Sequence, residues 1–322
     1  MKKILILASG LLYSLVSFAQ TKNYIAYFGP YNLDRNKSFA LNEDRKAYMT
    51  QEMYMQAKAS QKQLLGYLNS NNIPNKSYFV VNAVSIKADV NTITSIKNTF
   101  PEVEFIDVSD WKYKAHTPVH MGEPEPISVG RAAGAPEPGL LAVGARSMWN
   151  MGYTGKGVKV LSFDTGVWPD HPAISSQFMA RNYPYAQTWQ GYFANEPADK
   201  SSSHGTHTIG TMLGLYAPNN DTLGLAFKGY YLATDPIVSN LAFLLPLDSI
   251  IGAYNWSLNP DGNIATSYDI PDVICNSWGW VDPPDPNLCT GFIADMLDNI
   301  ELAGIANEYS AGNEGPGATS VG

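Results

Sequence analysis

The alternation of apolar and polar positions divides the chain into three stretches. Between residues 23 and 108 the apolar runs are short and switch between strand and helix periodicity. NYIAYF predicts a strand, MTQEMYMQAKASQKQLLGYLNS a helix, YFVVNAVSIKA two short strands across Asn82, TITSIKNTF a second helix and VEFIDVS a closing strand. The predicted order, βαββαβ, is that of a small α+β unit. Over residues 109–138 the pattern dissolves into a Pro- and Gly-rich linker, KAHTPVHMGEPEPISVGRAAGAPEPG, the kind of segment where proteolytic processing concentrates. From Gly139 apolar runs bounded by Gly, Pro or Asp return as GVKVLSFD, DVICNSWG and IANEYSAG. Between the last two, Phe292, Ile293, Met296, Leu297 and Ile300 recur at helical spacing. Residues 139–322 are therefore expected to form an α/β domain, a parallel sheet with flanking helices. Its ligand crevice would lie at the carboxyl ends of the strands, where Asp164, Ser277 and Asn313 fall.

Composition narrows the partners. A chain of 322 residues with 45% hydrophobic and 16% charged positions can bury a core. Its 21 Lys and Arg against 29 Asp and Glu leave a net charge of −8, and no basic block exists to neutralise a phosphate backbone, so nucleic acid is not an expected partner. Residues 1–19, MKKILILASGLLYSLVSFA, combine two lysines, a short apolar run and small residues before a cut, and predict a secretory signal peptide. The mature protein is expected to be secreted and extracellular, with no membrane attachment once the signal is removed. Export makes Cys275 and Cys289 candidates for a disulfide, although Cys275 also suits a buried strand.

The stretch SSSHGTHTIGTM, residues 201–212, sets His204 and His207 in a run of small residues behind serines able to cap a helix. A zinc site of the HExxH kind would need a wider histidine spacing and a glutamate between, and neither is present. Asp164 ends a predicted strand in FDTGVWPDHP, ahead of His204. An orienting carboxylate followed by a base, with the nucleophilic serine last, is the chain order of one branch of serine hydrolases.

DTGVWPDHP, HGTHTIGT, NSWG and SAGNEG, in that order, resemble the motifs of the subtilisin-like serine proteases, or subtilases. The longer run from NSWG to GPGATS looks like the bacillopeptidase F-like branch. The resemblance covers residues 139–322, and 23–108 is similar to the inhibitory propeptide of the same enzymes. It implies a secreted serine endopeptidase precursor acting on peptide or protein substrates, with its own propeptide as an intramolecular inhibitor. Asp164 and His204 would be the orienting acid and the base, with His207 a packing neighbour. Asn313 would be the oxyanion donor, and Ser277, Trp278 and Gly279 the strand that pairs with an extended substrate.

One departure is large. The family's serine lies in a GTSMA-like motif well after the oxyanion asparagine, and no such motif occurs in residues 1–322. The serine is expected beyond residue 322, so that this chain alone would be inactive. The alternative is a catalytically dead, secreted peptide-binding remnant; a third reading makes His204 and His207 ligands of a hydrolytic metal. No cofactor is expected for the chemistry. Structural calcium is common in the family, and PNNDTLG and SLNPDGN offer oxygen ligands, but neither is a twelve-residue calcium loop, so no metal residue is assigned.

Overall fold

The computed structural model describes residues 20–109, 113–115, 137–199, 203–238, 245–280 and 289–313. The predicted signal peptide and most of the linker lie outside them. The N-terminal unit comprises β1 (Lys22–Tyr27), α1 (Asn42–Ser60), α2 (Lys62–Ser70), β2 (Asn75–Tyr78), β3 (Ala83–Ala88), α3 (Val90–Thr99) and β4 (Glu104–Asp107). Next come β5 (Tyr113–Ala115), α4 (Pro138–Ala142), α5 (Ala145–Asn150), β6 (Lys159–Phe163), β7 (Trp189–Gln190), α6 (His204–Leu213), β8 (Leu215–Tyr216), β9 (Asp221–Thr222), β10 (Tyr230–Thr234), α7 (Leu247–Ser257), β11 (Val273–Asn276), β12 (Trp278–Trp280), α8 (Phe292–Leu302) and β13 (Ala306–Tyr309).

The first unit is a four-stranded antiparallel sheet in the order β2-β3-β1-β4. Strand periodicity gives it two apolar faces. Tyr24, Ala26, Val84 and Ile86 pack on Leu64 and Leu68 of α2 and on Ile93 and Ile96 of α3. Ile25, Tyr27 and Ala83, on the opposite face, share a core with α7 and α8.

Two expectations for this unit need correction. The first helix starts at Asn42 and is divided into α1 and α2 at Gln61, which keeps helical φ/ψ and whose side chain is fully buried. Its amide donates to the Tyr78 carbonyl at 2.9 Å and to Asn82 Oδ1 at 3.2 Å, tying the helix break to the β2–β3 turn. The strand expected just before Asn82 lies earlier, at Asn75–Tyr78, since Phe79 and Val80 give their backbone N–H groups to Asn255 Oδ1 of α7, at 2.7 and 3.1 Å, and leave the ladder.

The larger domain is a parallel five-stranded sheet in the order β13-β11-β6-β10-β7. β6 sits at its centre, and its Leu161 and Phe163 are fully buried. A strand covered on both faces reads as a continuous apolar run, which is why β6 and β11 were visible in the sequence. β10 and α7 were not anticipated. The sequence of α7 is apolar almost all round, and eight of its residues are buried, so it lacks the polar face that marks a surface helix.

Candidate active site

The order β13-β11-β6 puts the ends of three adjacent parallel strands side by side, and each end carries one expected site segment. Asp164 follows β6, Ser277 follows β11, and Ser310 to Asn313 follow β13, where the Ser310 N–H bonds the Asn276 carbonyl at 3.0 Å.

His204 opens α6 across from the end of β6. Its Nδ1 lies 2.7 Å from Asp164 Oδ1, with the aspartate 1% and the histidine 8% exposed. The same Asp164 oxygen accepts the Thr165 N–H at 2.7 Å, and Oδ2 accepts the Thr208 hydroxyl at 3.2 Å. With Nδ1–H given to a buried carboxylate, Nε2 is left as the lone-pair nitrogen that can take a proton. A buried carboxylate is tolerated only with such donors, and here they hold it in one orientation.

The close approach of α6 to β6 depends on two glycines. A methyl group on Gly205 would sit 2.0 Å from the Gly166 carbonyl oxygen and 3.1 Å from the Asp164 side chain. Gly166 has φ +110° and a Cβ there would meet the Ala198 carbonyl oxygen at 2.0 Å, so the turn after Asp164 accepts only glycine on both counts.

Asp199 is a residue that motif spacing did not single out. Its Oδ2 accepts the Thr206 N–H at 2.8 Å and the Thr206 hydroxyl at 2.7 Å, and its Oδ1 accepts the Thr165 hydroxyl at 2.9 Å. Thr165 Oγ1 in turn accepts the Gly205 N–H at 3.1 Å. Asp199 thus does the capping expected of the serine run, for Ser203 stands at the N-cap with a left-handed φ of 58° and no capping bond from its side chain. Ser201 and Ser202 lie outside the described residues. The acid also faces the positive end of the helix. His207 is a second correction. The buried face of α6 runs through His204, Gly205, Ile209 and Leu213, which leaves His207 exposed beside Trp168 and His171 on an open groove instead of packed.

On the neighbouring strand, Trp278 is 1% exposed and its ring meets Phe163 and Tyr309 at 5.5 Å, so the side chain is core. Asn276 holds the Trp278 ring and the end of β13 together. Fully buried, it accepts from the Tyr254 hydroxyl at 2.7 Å and from Trp278 Nε1 at 3.2 Å, and donates to Asn307 Oδ1 at 2.8 Å and the Glu308 carbonyl at 3.1 Å. Burial drives the Tyr254 hydroxyl well above its ordinary pKa, which keeps it a donor. β12 pairs antiparallel with β5, with Trp278 opposite Ala115, Gly279 opposite Lys114 and Trp280 opposite Tyr113. The strand expected to bind substrate is thus already paired with this chain's own segment beyond the N-terminal unit. Ser277 is half-buried, 3.9 Å from Cys275 Sγ. Cys275 and Cys289 are unpaired, and burial raises the Cys275 thiol pKa. Asn313 is exposed at the sheet edge. Among the described residues no group of three or more His, Cys, Asp or Glu could hold a metal.

Comparison with known proteins settles the family. Residues 155–322, just over half of the chain, match Peptidase S8, the subtilase family. The chain belongs to the subtilase family. It is 27% identical to bacillopeptidase F of Bacillus subtilis over 287 residues, which cover 84% of this chain and 19% of that protein. It is 32% identical to a subtilisin of Bacillus pumilus over 185 residues, 57% of this chain and 58% of the relative. Minor extracellular protease Vpr of Bacillus subtilis matches at 35% over 99 residues, 28% of this chain and 11% of Vpr. The chain therefore spans less than two thirds of the length of each. The crystal structure of the epidermin leader peptide processing serine protease from Staphylococcus aureus superposes with a TM-score of 0.54 at 11% identity, covering 92% of this chain and 61% of that one, a likeness of fold.

Proposed function

We propose that this subtilase is the precursor of a secreted serine endopeptidase in which Asp164 orients His204 and His204 is the general base. The observation that carries it is the buried 2.7 Å contact between His204 Nδ1 and Asp164 Oδ1 at the carboxyl end of the central strand. Nε2 of His204 would take the proton of a serine hydroxyl as it attacks the scissile carbonyl and return it to the leaving amine, while the Asp164 carboxylate stabilises the imidazolium. The serine is not supplied in motif order by residues 1–322. Asn313 would donate its amide to the developing oxyanion, and the β12 backbone would pair with an extended peptide, a mode tolerant of side-chain identity.

The N-terminal unit is proposed to be an inhibitory propeptide, with release by cleavage in the linker of residues 109–138. The β5–β12 ladder supports this, since a segment directly after the unit lies where substrate would. Secretion follows from the predicted signal peptide, and no described helix is long and apolar enough to cross a membrane.

The test expresses this chain with its in-frame continuation and treats the product with a fluorophosphonate, which labels only activated serines. Labelling that disappears in Asp164→Asn and in His204→Ala supports the assignment. Labelling unaffected by either substitution refutes it, and a continuation without a reactive serine favours a peptide-binding remnant.

A further inference from the structure

The three strands that carry the site segments end on residues that all meet one side chain. β6, β11 and β13 finish at Phe163, Asn276 and Tyr309, and the positions that follow are Asp164, then Ser277 and Trp278, then Ser310 to Asn313. Tyr254 of α7, fully buried, reaches all three ends. Its ring centroid lies 4.7 Å from that of Phe163, and its hydroxyl oxygen lies 2.7 Å from Asn276 Oδ1 and 2.5 Å from the Tyr309 hydroxyl. No step of the proposed chemistry uses this hydroxyl.

The acceptors fix the direction of the hydrogen bonds. The Glu308 carbonyl can only accept, so the Asn276 nitrogen points to it at 3.1 Å and to Asn307 Oδ1 at 2.8 Å. The Asn276 oxygen is therefore turned toward Tyr254 and toward Trp278 Nε1 at 3.2 Å. The single Tyr254 proton goes to that oxygen, and Tyr309 gives its own proton to the oxygen of Tyr254. Burial raises the pKa of both phenols, which keeps both protonated. The chain from Tyr309 through Tyr254 to Asn276 thus runs one way, and with it the Asn276 amide makes its full set of hydrogen bonds. A phenylalanine at 254 would fill the same space, but it would leave a lone pair of a buried amide oxygen unmet and set the Tyr309 hydroxyl loose.

We propose that Tyr254 is a positioning residue whose hydroxyl sets the spacing between the end of β11, with its Trp278 wall, and the end of β13, which leads to Asn313. Its effect on catalysis rests on the proposed function; its effect on the two strand ends rests on the hydroxyl contacts alone. The backbone link between those ends is the Ser310 N–H bond to the Asn276 carbonyl at 3.0 Å. β6 is met only by the ring, through Phe163, so the hydroxyl should act on the substrate strand and the oxyanion segment and leave the Asp164–His204 pair in place.

The test compares Tyr254→Phe and Tyr309→Phe in this chain expressed with its in-frame continuation. Amide exchange followed by mass spectrometry should be faster in Tyr254→Phe over residues 273–280 and 306–313 and unchanged over 159–165. With a peptide substrate kcat should fall about tenfold, the size of one lost hydrogen bond. The acidic limb of the kcat/KM profile, which reports the His204 base, should stay where it is. Tyr309→Phe should show the same pattern more weakly, since Tyr254 still gives its proton to Asn276, and it serves if Tyr254→Phe fails to fold. The double variant should lose no more than Tyr254→Phe alone, because both act through one chain of bonds. Faster exchange confined to the two strand ends supports the proposal even where the complete protein is inactive, an outcome that would refute the catalytic reading alone. Unchanged exchange in the folded variants overturns it. Exchange that quickens equally over 159–165 also overturns it and makes Tyr254 a packing residue of the whole sheet.

Discussion

At the scale of single residues, the Asp164–His204 contact has more support than its two members. Thr208 gives its hydroxyl to Asp164 Oδ2 and lies on α6 one turn from His204, so it couples the carboxylate to the helix that carries the proposed base. A hydrogen bond to a charged acceptor is worth about 1.5 kcal/mol, or roughly tenfold in rate. In the complete enzyme Thr208→Val should lower kcat/KM by about tenfold and Thr208→Ser should restore it; equal activity in all three forms would make Thr208 a bystander. Asn313→Ala should lower kcat by about a hundred- to a thousandfold with KM nearly unchanged, a magnitude known from a subtilisin. A loss mainly in KM would instead make Asn313 a substrate contact.

Among elements, the decisive contact is α6 against the turn after β6. Gly205 and Gly166 let helix and turn meet backbone to backbone, and the Asp199–Thr165–Thr206 bonds lock the approach. Gly205→Ala places a methyl against a carbonyl at 2.0 Å, so α6 must withdraw and carry His204 from Asp164. Activity should fall more than a hundredfold, on the order of the cost of misplacing a reacting group by an ångström, and the thermal melt should drop as well. An active, undiminished Gly205→Ala enzyme would show that the gap can relax. The docked α1 caps another element. Arg45 Nε and Asn42 Nδ2 each donate at 2.8 Å to the carbonyls of Leu302 and Gly304, end groups of α8 that a free helix would leave to water.

At the scale of the whole molecule, the N-terminal unit and the larger domain share one core. Met49, Met53, Phe79 and Val80 pack with Ile250, Ile251, Phe292 and Ile293, and the fully buried Lys46 pairs with Asp272 at the base of the catalytic sheet. The unit therefore grips both the α7–α8 face and the start of β11, while β5 pairs with β12. Added separately, residues 23–108 should inhibit the mature enzyme at about micromolar concentration. Absence of inhibition of peptide hydrolysis would remove the propeptide assignment.

The same interface carries a pH dependence. Asp248 accepts the Ser85 hydroxyl at 2.9 Å, and burial raises its pKa against the weaker opposing effects of Ser85 and Lys76. With the carboxyl pKa raised in the complex, the docked state holds more protons than the separated one. Docking is thus favoured at low pH and weakens as pH climbs through the raised value. Release of the N-terminal unit should quicken as pH climbs above the ordinary carboxylate range and through the raised value. Asp248→Asn should flatten the profile, and an unchanged profile would place the titrating group elsewhere.

The sequence by itself determined β6, β11, β13 and the ordered motifs at their ends, though not β7 or β10 of the same sheet, because buried parallel strands are continuous apolar runs and sharp turns need Gly, Pro or Asp in the chain's immediate neighbourhood. It also placed Asp164, Ser277 and Asn313 at strand ends, since strand direction alone sends those positions to one edge. Only the tertiary structure decided what each polar side chain does, because its partner lies far along the chain. Asp199 became the cap that Ser203 was expected to be, His207 turned outward, and Gln61 reached the Tyr78 carbonyl. Lys46 went to Asp272, 226 positions away. Periodicity records which face of an element is buried; it carries no information about the donor or acceptor that will meet a given side chain there, and that pairing sets the price of burying it.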